Sequence, residues 1–573
     1  MSLATVLNGW ITKWAAQHCP DFQKGRWVLP CQDPRFGHFQ SNLAMVAAKA
    51  QKKNPRDLAN SLATALNVRS EIESVEVAGP GFVNVRFSPA AIDAAFVTLA
   101  TDPNLGVPQA DPARTIVVDF SSPNVAKSMH VGHIRSTILG DSIARLHRAL
   151  GHRVITDNHL GDWGTGFGQI ILAYKKAGQP PLDPHQAIAQ MEAWYREMNL
   201  ACKENPDLQE QARQELVKLQ DGDPENLRIW ETFRQASQGE FDEIYRRLGV
   251  SFDYTLGESF YNPWLKPLVE ELIARGLARQ SEGAVCLFFP EDPELANHPM
   301  VIRKSDGAAL YATTDLATVR YRVEEFKADT IIYVTDGRQQ LHFRQLFAAA
   351  RMLGLKVQLE HAWFGTILGP DKRPLKTRDG TPIKLRDLLD EGVSRATELL
   401  RQLRTQKNLP PLNPKDEQRI AEVLGLGSIK YADQAQNRHL DYVFDWDKLL
   451  ALDGNTAPYL INAYVRGRSI LRKQGEPEGS LFAGEDPLDH DLAKACLGFA
   501  DAVEAAAAEL RPHLLCSYLY ELASLFHRFF EACPVARAAS PELRNSRLLL
   551  CHVTSLILRR GLDLLGIGTI EEM

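Results

Sequence analysis

Short apolar runs alternate with stretches of helical periodicity in the middle of the chain. TIVVDF (115–120) consists mostly of β-branched residues, which is typical of a buried strand. Apolar residues then recur mostly at three- and four-residue steps from Val131 to Leu150, which predicts a helix. A second apolar run, RVITDN (153–158), follows Gly151. Together these segments predict a β-α-β unit of about the usual length.

The same alternation continues further along the chain. DTIIYVTD (329–336) predicts another buried strand, a helical pattern follows it, and HAWFGTIL (361–368) predicts a third. Strands that alternate with helices favour a doubly wound parallel sheet, that is, a Rossmann-like α/β domain. Between about 170 and 300 the pattern is mostly helical and charged. We interpret this stretch as an insertion into the sheet domain.

Two Pro-rich stretches, 101–114 and 408–417, divide the chain into three parts. The first part is helical and then strand-like around a Gly-Pro-Gly turn, which predicts a small α+β domain. The last part is almost entirely helical in period, which predicts an all-α bundle. A single core rarely exceeds about 300 residues, and this chain has 573. The predicted domains are 1–108, 109–410 and 411–573.

Composition narrows the class of protein. The net charge is −6, so no overall basic field indicates a nucleic-acid partner, and local patches would have to bind one. No segment is typical of a signal peptide or a membrane span. The eight cysteines include no CxxC pair, which favours reduced thiols in a cytoplasmic protein without a structural zinc site.

The segment after the first predicted strand carries the clearest candidate chemistry. His130, Gly132 and His133 lie where the helix should begin, and Lys127 precedes them. Ligands of open α/β sheets bind at the carboxyl ends of strands, and helix N-termini attract phosphate. We therefore predict a phosphate site. A zinc site would need a third ligand, and none is evident; helix caps or surface histidines are the simpler alternative.

The motif HVGH (130–133) resembles the HIGH signature of class I aminoacyl-tRNA synthetases. The longer string SSPNVAKSMHVGHIRSTILGD (121–141) is similar to that of arginyl-tRNA synthetases. Further segments match this family in the family's order: GDWGTGFG (161–168), GESFY (257–261), YATTDLA (311–317), DGRQQLHFRQLF (336–347), LKTRDGTPIKLRDLLDE (375–391), GSIKYAD (427–433), DYVFDWDKLLALDGNTAPYL (441–460) and the ending LLGIGTIEEM.

The resemblance implies an arginine–tRNA ligase that works in two steps. The carboxylate of L-arginine attacks the α-phosphate of ATP, used with Mg²⁺, and expels pyrophosphate. The terminal adenosine of tRNA(Arg) then takes the arginyl group from the adenylate. The resemblance further implies a monomeric cytoplasmic enzyme.

Family motifs also imply roles for residues around ATP. His130 and His133 would donate to the phosphates, and Lys127 and Lys376 would follow the leaving pyrophosphate. In the lysine-rich second signature of the class, only Lys376 of residues 373–377 is shared, and Lys127 is the family's proposed compensating charge. The remaining ATP-binding positions implied are Gly132, Gly161, Asp162 and Gly164.

The resemblance implies a guanidinium site as well. Planar cations are best held by carboxylates with hydroxyl or aromatic support. Tyr311 and Asp315 match the family's side-chain-binding positions, although an aspartate near a helix start is often only a dipole partner. The other implied arginine-binding residues are Asp119, Ser121, Asn124 and Gln339.

For tRNA, the resemblance implies contacts at Asn84 and Phe87 in the first domain. Aromatic stacking on unpaired bases is a common mode of RNA recognition; a strand-core position is the alternative for one of the two. The implied contacts in the last domain are Tyr459, Arg466 and Met573, where bundle packing or a surface charge is the alternative.

Four positions depart from the family pattern: Gly166 replaces a glutamine, His38 replaces an acid, and Ile461 and Asn462 replace a Gln-Tyr pair. Two other functions stay open from the residues alone. One is a nucleotidyl transferase acting on a small molecule, which would not need the flanking domains. The other is a regulatory protein that binds tRNA or arginine without catalysis, for which loss of the histidines would be expected.

Overall fold

The computed structural model describes residues 2–31, 33–183, 186–305, 310–376, 381–479 and 481–572. The chain forms two compact units. The first contains residues 1–109, 451–563 and 568–573, and the second contains residues 110–450 and 564–567.

In the first unit, the N-terminal part is a small α+β domain around an antiparallel sheet. The sheet order is β1-β2-β4-β3. Its elements are α1 (Leu3–His18), β1 (Val28–Pro30), β2 (Phe39–Ser41), α2 (Leu43–Gln51), α3 (Pro55–Asn67), β3 (Ile72–Ala78), β4 (Phe82–Phe87) and α4 (Pro89–Ala100).

The C-terminal part of the first unit is helical. Its helices are α16 (Ala457–Gln474), α17 (Pro487–Leu497), α18 (Phe499–Ala508), α19 (His513–Ala532) and α20 (Pro541–Leu564). The predicted all-α bundle is therefore confirmed. In the part of the chain that the structure describes, no helix is long and apolar enough to cross a membrane.

The second unit is built on a four-stranded parallel sheet with helices. The elements around this sheet are β5 (Thr115–Asp119), α5 (Val131–Ala149), β6 (Arg153–Asp157), α6 (Thr165–Lys176), α11 (Tyr311–Glu324), β10 (Thr330–Tyr333), α12 (Gln340–Met352) and β11 (Gln358–His361). The sheet order is β11-β10-β5-β6, so the winding direction changes between β5 and β10. Asp119 pairs in register with Tyr333 and Asp157, which aligns three carboxyl ends at one edge. Ligands of such sheets bind outside this edge, at the switch point.

The predicted insertion lies between α6 and α11. Its described residues form four α-helices, a 3₁₀ segment (Glu258–Tyr261) and a three-stranded antiparallel sheet of order β7-β8-β9. The helices and strands are α7 (Ala187–Glu204), α8 (Pro206–Gln220), α9 (Pro224–Leu248), α10 (Asn262–Ala274), β7 (Ala278–Ser281), β8 (Ala284–Leu287) and β9 (Met300–Arg303). The small sheet was not predicted, because its strands have only four residues each and give little periodic signal.

The remaining elements of the second unit are β12 (Ile367–Leu368), α13 (Leu385–Gln406), α14 (Pro414–Gln434), β13 (Tyr442–Val443) and α15 (Trp446–Leu449). Residues 411–450 therefore belong to this unit, which differs from the predicted boundary at 411. The buried pair between Arg135 on α5 and Asp433 on α14, at 2.7 Å, shows why α14 stays with the sheet domain.

Three predicted strands and two predicted helices are confirmed: β5, β6, β10, α5 and α12. The predicted strand at 361–368 is wrong, because the parallel edge strand β11 ends at His361 and β12 pairs separately with β13. Gln358 is exposed on β11, and Glu360 is only partly buried. An edge strand with polar residues lacks the apolar run that marks a buried strand.

Candidate active site

His130 and His133 form the cap of helix α5. The backbone N–H of Gly132 donates to Nδ1 of His130 at 3.0 Å, and the N–H of His130 donates to Nδ1 of His133 at 3.0 Å. The two rings lie 4.0 Å apart. A Cβ atom on residue 132 would lie only 2.8 Å from the His130 ring, so the glycine between the histidines makes room for the capping ring.

These contacts define the chemical state of both rings. Burial and the nearby charge of Lys127 lower the pKa of His130, and the charge of Glu192 raises it. The net result is a pKa below the usual value. Burial, with the charge of His130, lowers the pKa of His133 to about 3. Both rings are therefore neutral near pH 7. Because Nδ1 accepts a hydrogen bond in each, the ring proton must be on Nε2, and each histidine presents one Nε2–H donor.

The backbone N–H groups at the start of α5 are already paired. The N–H of Val131 donates to Ile383 O at 2.9 Å, Gly132 donates to the His130 ring, and His133 donates to His130 O at 2.8 Å. The helix terminus therefore differs from the predicted phosphate site, in which backbone donors hold the ligand. Here the two side chains are the available donors.

The loop before the histidines is held in a strained conformation. Ser121, Ser122 and Ala126 have φ angles of 73°, 50° and 63°, in the left-handed region that costs non-glycine residues about 1–3 kcal/mol each. Each of their N–H groups donates to a side chain: Ser136 Oγ at 2.8 Å, Asn158 Oδ1 at 3.0 Å and Ser237 Oγ at 2.9 Å. These three bonds fix the loop that carries Asn124 and Lys127.

A pocket of about 200 Å³ lies beside this loop. Its lining includes predicted ATP-binding and arginine-binding residues together: Asn124, Lys127, Gly161, Gly164 and Tyr311. A Cβ atom on residue 161 would lie 2.2 Å from Asn124 Oδ1, so only glycine allows the asparagine to approach the neighbouring loop. The pocket is small and polar and suits part of a charged small molecule.

Lys127 lies near an aromatic ring in this pocket. Its Nζ lies 5.2 Å from the ring centre of Tyr195 on α7, within the range of a cation–π contact. The departure at Gly166 is adjacent, since a Cβ there would lie 3.3 Å from the Tyr195 ring. The tyrosine of the insertion thus occupies space that a longer side chain at 166 would require.

Asp315 lies on α11 between two histidines. Nε2 of His342 is 2.5 Å from its Oδ2, and Nε2 of His159 is 3.9 Å from its Oδ1. Both ring nitrogens of His159 are buried and have no hydrogen-bond partner among the described residues. Unpaired buried polar groups of this kind are costly.

Glu258 was not predicted as a site residue. It lines the pocket with Tyr311, and burial together with the charges of Asp315 and Asp162 raises its pKa to about 8. A carboxyl group whose pKa is raised by neighbouring carboxylates favours a bound cation. The segment GESFY was recognised as a family segment, but only the fold reveals that its glutamate faces Tyr311.

Several predicted contacts have other partners in the structure. Asp119 accepts hydrogen bonds from Arg322 at 2.6 Å and Ser122 Oγ at 3.1 Å. The Ser121 hydroxyl bonds with Thr137 and Tyr245, each at 2.8 Å. Both side chains are also buried, so in this structure they support the loop and the strand ends.

The carboxylate of Asp162 accepts from the backbone and hydroxyl of Ser259 at 2.8 and 2.7 Å, so it supports the segment with Glu258 and is not free for ATP. Gln339 is exposed after β10, and Lys376 is exposed after β12. Neither Gln339 nor Lys376 is among the described residues that line the pocket.

The N-terminal residues predicted to meet tRNA lie in the core of their domain. Phe87 is 1% exposed and packs near Trp10 and Phe39. Asn84 is 2% exposed and accepts from Gln40 at 2.8 Å. Stacking on a base requires an open ring face, so burial removes the physical basis of the predicted contact at Phe87.

The predicted tRNA-binding residues of α16 are only partly buried. Arg466 lies 3.1 Å from His527 Nδ1 and 5.3 Å from the ring centre of Phe530. The ring of Tyr459 also lies near His527, at 4.8 Å. This arrangement combines a cation with aromatic faces, as single-stranded RNA sites do. Met573, also predicted to contact tRNA, lies outside the described residues. Ile461, which departs from the family pattern, is fully buried.

The fold and the histidine pair at the carboxyl edge define a class I aminoacyl-tRNA synthetase. The model of the class I (R) tRNA synthetase catalytic domain matches residues 97–446. The DALR anticodon binding domain matches residues 460–573, and the arginyl-tRNA synthetase N-terminal domain matches residues 13–87.

Relatives specify the family within this class. The chain is 43% identical to an arginine–tRNA ligase of Cellvibrio japonicus, over 95% of each chain. It is 42% identical to one of Pseudomonas aeruginosa, over 97% of this chain and 95% of that protein. The crystal structure of the Plasmodium falciparum arginyl-tRNA synthetase matches with a TM-score of 0.85 and 28% identity, over 100% of this chain and 99% of that one. The chain belongs to the arginyl-tRNA synthetases, and it is an arginine–tRNA ligase.

Proposed function

We propose that the pocket beside α5 activates L-arginine with ATP for transfer to tRNA(Arg). The observation that supports this most directly is the pair of Nε2–H donors on neutral His130 and His133. They directly follow the loop whose Asn124 and Lys127 line the pocket. The two donors would stabilise charge that develops on the phosphate oxygens during adenylate formation. Such stabilisation of the transition state is commonly the largest catalytic contribution.

Lys127 would provide the mobile positive charge. Its ammonium lies at the pocket, whereas Lys376 is exposed and does not line it among the described residues. An ammonium on a flexible stem can follow the leaving pyrophosphate. We therefore assign the larger share of this role to Lys127.

Arginine would bind with its guanidinium among Glu258, Asp315 and Tyr311. Two carboxyl groups and a phenol suit a planar cation, and the guanidinium would lower the raised pKa of Glu258. Asn124, which lines the same pocket, would then bind the backbone of the amino acid.

Mg²⁺ would enter as a complex with ATP. The described residues include no group of three His, Cys, Asp or Glu side chains placed to hold a metal ion. Phosphate oxygens and water are then its expected ligands. No step is assigned to a protein-bound metal.

The flanking parts of the chain would bind tRNA. The patch of Tyr459, Arg466 and Phe530 supports base contacts on the helical part. All eight cysteines are free thiols, which favours a reducing compartment such as the cytoplasm. The proposed oligomeric state is a monomer, which sedimentation at micromolar concentration would test.

Aminoacylation of a tRNA(Arg) transcript tests this proposal. The protein should charge the transcript with labelled arginine, and it should reject lysine and citrulline by about 10⁴-fold, because these leave polar groups of the site unpaired. Charging with lysine at a comparable rate would overturn the assignment of Glu258 and Asp315 as guanidinium ligands.

A further inference from the structure

Asp315 and His342 form a pair whose geometry restricts how Asp315 can bind a ligand. Nε2 of His342 lies 2.5 Å from Oδ2, while Oδ1 is 3.9 Å from Nε2 of His159. The side chains of Asp315 and His342 are 23% and 31% exposed. One carboxylate oxygen is thus occupied, and both side chains stay partly exposed. Asp315 also lies near the pocket residue Glu258, whose pKa its charge raises.

We propose that His342 is a positioning residue for Asp315, and that in its protonated form it competes with the guanidinium of arginine for that carboxylate. This inference rests on the proposed role of Asp315 in arginine binding. His342 on α12 carries no other assigned role, and its effect on arginine would act entirely through Asp315.

The orientation of Asp315 follows from the hydrogen bond. The terminal torsion of an aspartate is broad and has little preference of its own. A bond from His342 to Oδ2 holds the carboxylate plane and leaves Oδ1 for the substrate. Fixing the group before binding reduces the entropy lost on association. Because Asp315 then offers one oxygen, a guanidinium with several N–H donors needs a second carboxylate, and Glu258 is placed to supply it.

The charge of His342 opposes arginine. Burial disfavours the imidazolium, but the hydrogen bond and charge of Asp315 outweigh burial and raise the pKa of His342. A guanidinium brings a second positive charge to the same carboxylate, so arginine binds better when His342 is neutral. Affinity for arginine should therefore rise as the pH rises through the pKa of His342 and fall as the pH decreases.

Other titratable groups surround the pair. They are His159 on the loop after β6, His361 on β11, Tyr333 on β10 and Glu258 on the 3₁₀ segment before α10. Glu258, with its pKa raised to about 8, also favours arginine as it ionises, which gives a pH dependence in the same direction. A variant at His342 retains this contribution of Glu258, so the difference from the unmodified enzyme isolates His342.

The test uses His342→Leu and His342→Gln in aminoacylation with saturating tRNA between pH 6 and 9. His342→Leu removes the donor, and the arginine KM should rise about tenfold or more at pH 8, while kcat and the ATP KM stay within about twofold. His342→Gln keeps a neutral donor. At pH 8 its arginine KM should stay within about threefold of that of the unmodified enzyme. Between pH 8 and pH 6 the arginine KM should increase in both proteins, and the factor of increase should be at least about threefold smaller in His342→Gln.

A matched control is available in His490→Gln. His490 also pairs with an aspartate, Asp93, at 3.1 Å, and the two side chains are 25% and 23% exposed. It should leave both KM values unchanged. An unchanged arginine KM in His342→Leu would overturn the proposal. So would a pH dependence of the arginine KM in His342→Gln that equals that of the unmodified enzyme. Failure of the proposed function is distinguishable from failure of the His342 proposal. In that case the unmodified enzyme would not charge tRNA with arginine at any pH.

Discussion

At the scale of single residues, His130 and His133 are neutral rings near pH 7. Their Nδ1 atoms accept backbone N–H groups at the start of α5. His130→Ala and His133→Ala should each slow adenylate formation about 10²–10³-fold, because each removes one donor to transition-state charge. ATP affinity should change little. Single-turnover formation of arginyl-adenylate with tRNA present measures the rate, and equilibrium ATP binding measures the affinity. Near-normal rates in both variants would refute this role.

The lowered pKa values of His130 and His133 lead to a second prediction. A histidine with a depressed pKa stays neutral until the pH falls to that value, about 3 for His133. Lowering the pH from 8 to 6 should therefore not reduce the rate of the chemical step through His133. The check is the rate at saturating arginine and ATP, which separates this step from the pH-dependent binding of arginine.

Lys127 should matter at least as much as Lys376. Lys127→Ala removes the ammonium that lies at the pocket, while Lys376→Ala removes one that is exposed. The two variants are compared in single-turnover activation, with Tyr195→Phe as a control that retains an aromatic ring near Lys127. If only Lys376→Ala slows activation, the assignment of the mobile charge to Lys127 is wrong.

Asp315→Asn and Glu258→Gln should raise the arginine KM by about 30-fold or more, because each removes one charged partner of a buried pair. The ATP KM should stay nearly constant in both variants. Steady-state aminoacylation gives both constants. Equal increases in the two KM values would indicate general damage to the fold and would contradict a specific guanidinium site.

At the scale of elements, the insertion supports the strained loop. Helix α9 supplies Ser237, which accepts from Ala126, and Tyr245, which bonds with Ser121. Helix α7 supplies Glu192, which accepts from the N–H of Ser128 at 2.7 Å. The loop that carries Asn124 and Lys127 is thus held by segments about 60 to 120 residues away in sequence.

Ser237→Ala tests this support. It leaves the buried N–H of Ala126 without its acceptor, which costs about 1–3 kcal/mol, and the activation rate should fall as the loop relaxes. Thr232→Ala on the same helix is a suitable control, since its hydroxyl bonds only to Arg228 O at an exposed position. Thermal unfolding and single-turnover activation are measured on both. Activation rates that are unchanged in both Ser237→Ala and Thr232→Ala would contradict a supporting role for α9.

The sequence was sufficient where the signal is local. β5, α5 and β6 were predicted because buried β-branched runs and helical spacing need no knowledge of partners. The strands of the insertion and the edge strand β11 were missed, because short or polar strands acquire their structure from pairing. In the proposed site, the family resemblance predicted roles for His130, Lys127, Tyr311 and Asp315. It could not reveal that Asp119 pairs with Arg322, or that Glu258 and His342 converge on the same cluster.

At the scale of the whole molecule, the proposed function places specificity for arginine in the pocket of the catalytic unit. Pockets built for hydrogen bonds reject analogues that leave their polar groups unpaired, so no proofreading site is required. The insertion should then have no hydrolytic activity. Pre-formed mischarged tRNA is offered to the enzyme and deacylation is followed over time; rapid enzyme-dependent hydrolysis would show that the insertion edits.

The central claim is that the pocket beside α5 joins arginine to AMP through the donors of His130 and His133. Arginine-dependent exchange between ATP and labelled pyrophosphate measures this step, run with and without tRNA(Arg). We predict exchange that requires arginine, is not supported by lysine or citrulline, and is lost when both histidines are replaced by alanine. Exchange that proceeds without arginine, or that persists at a near-normal rate in the double variant, would contradict the account.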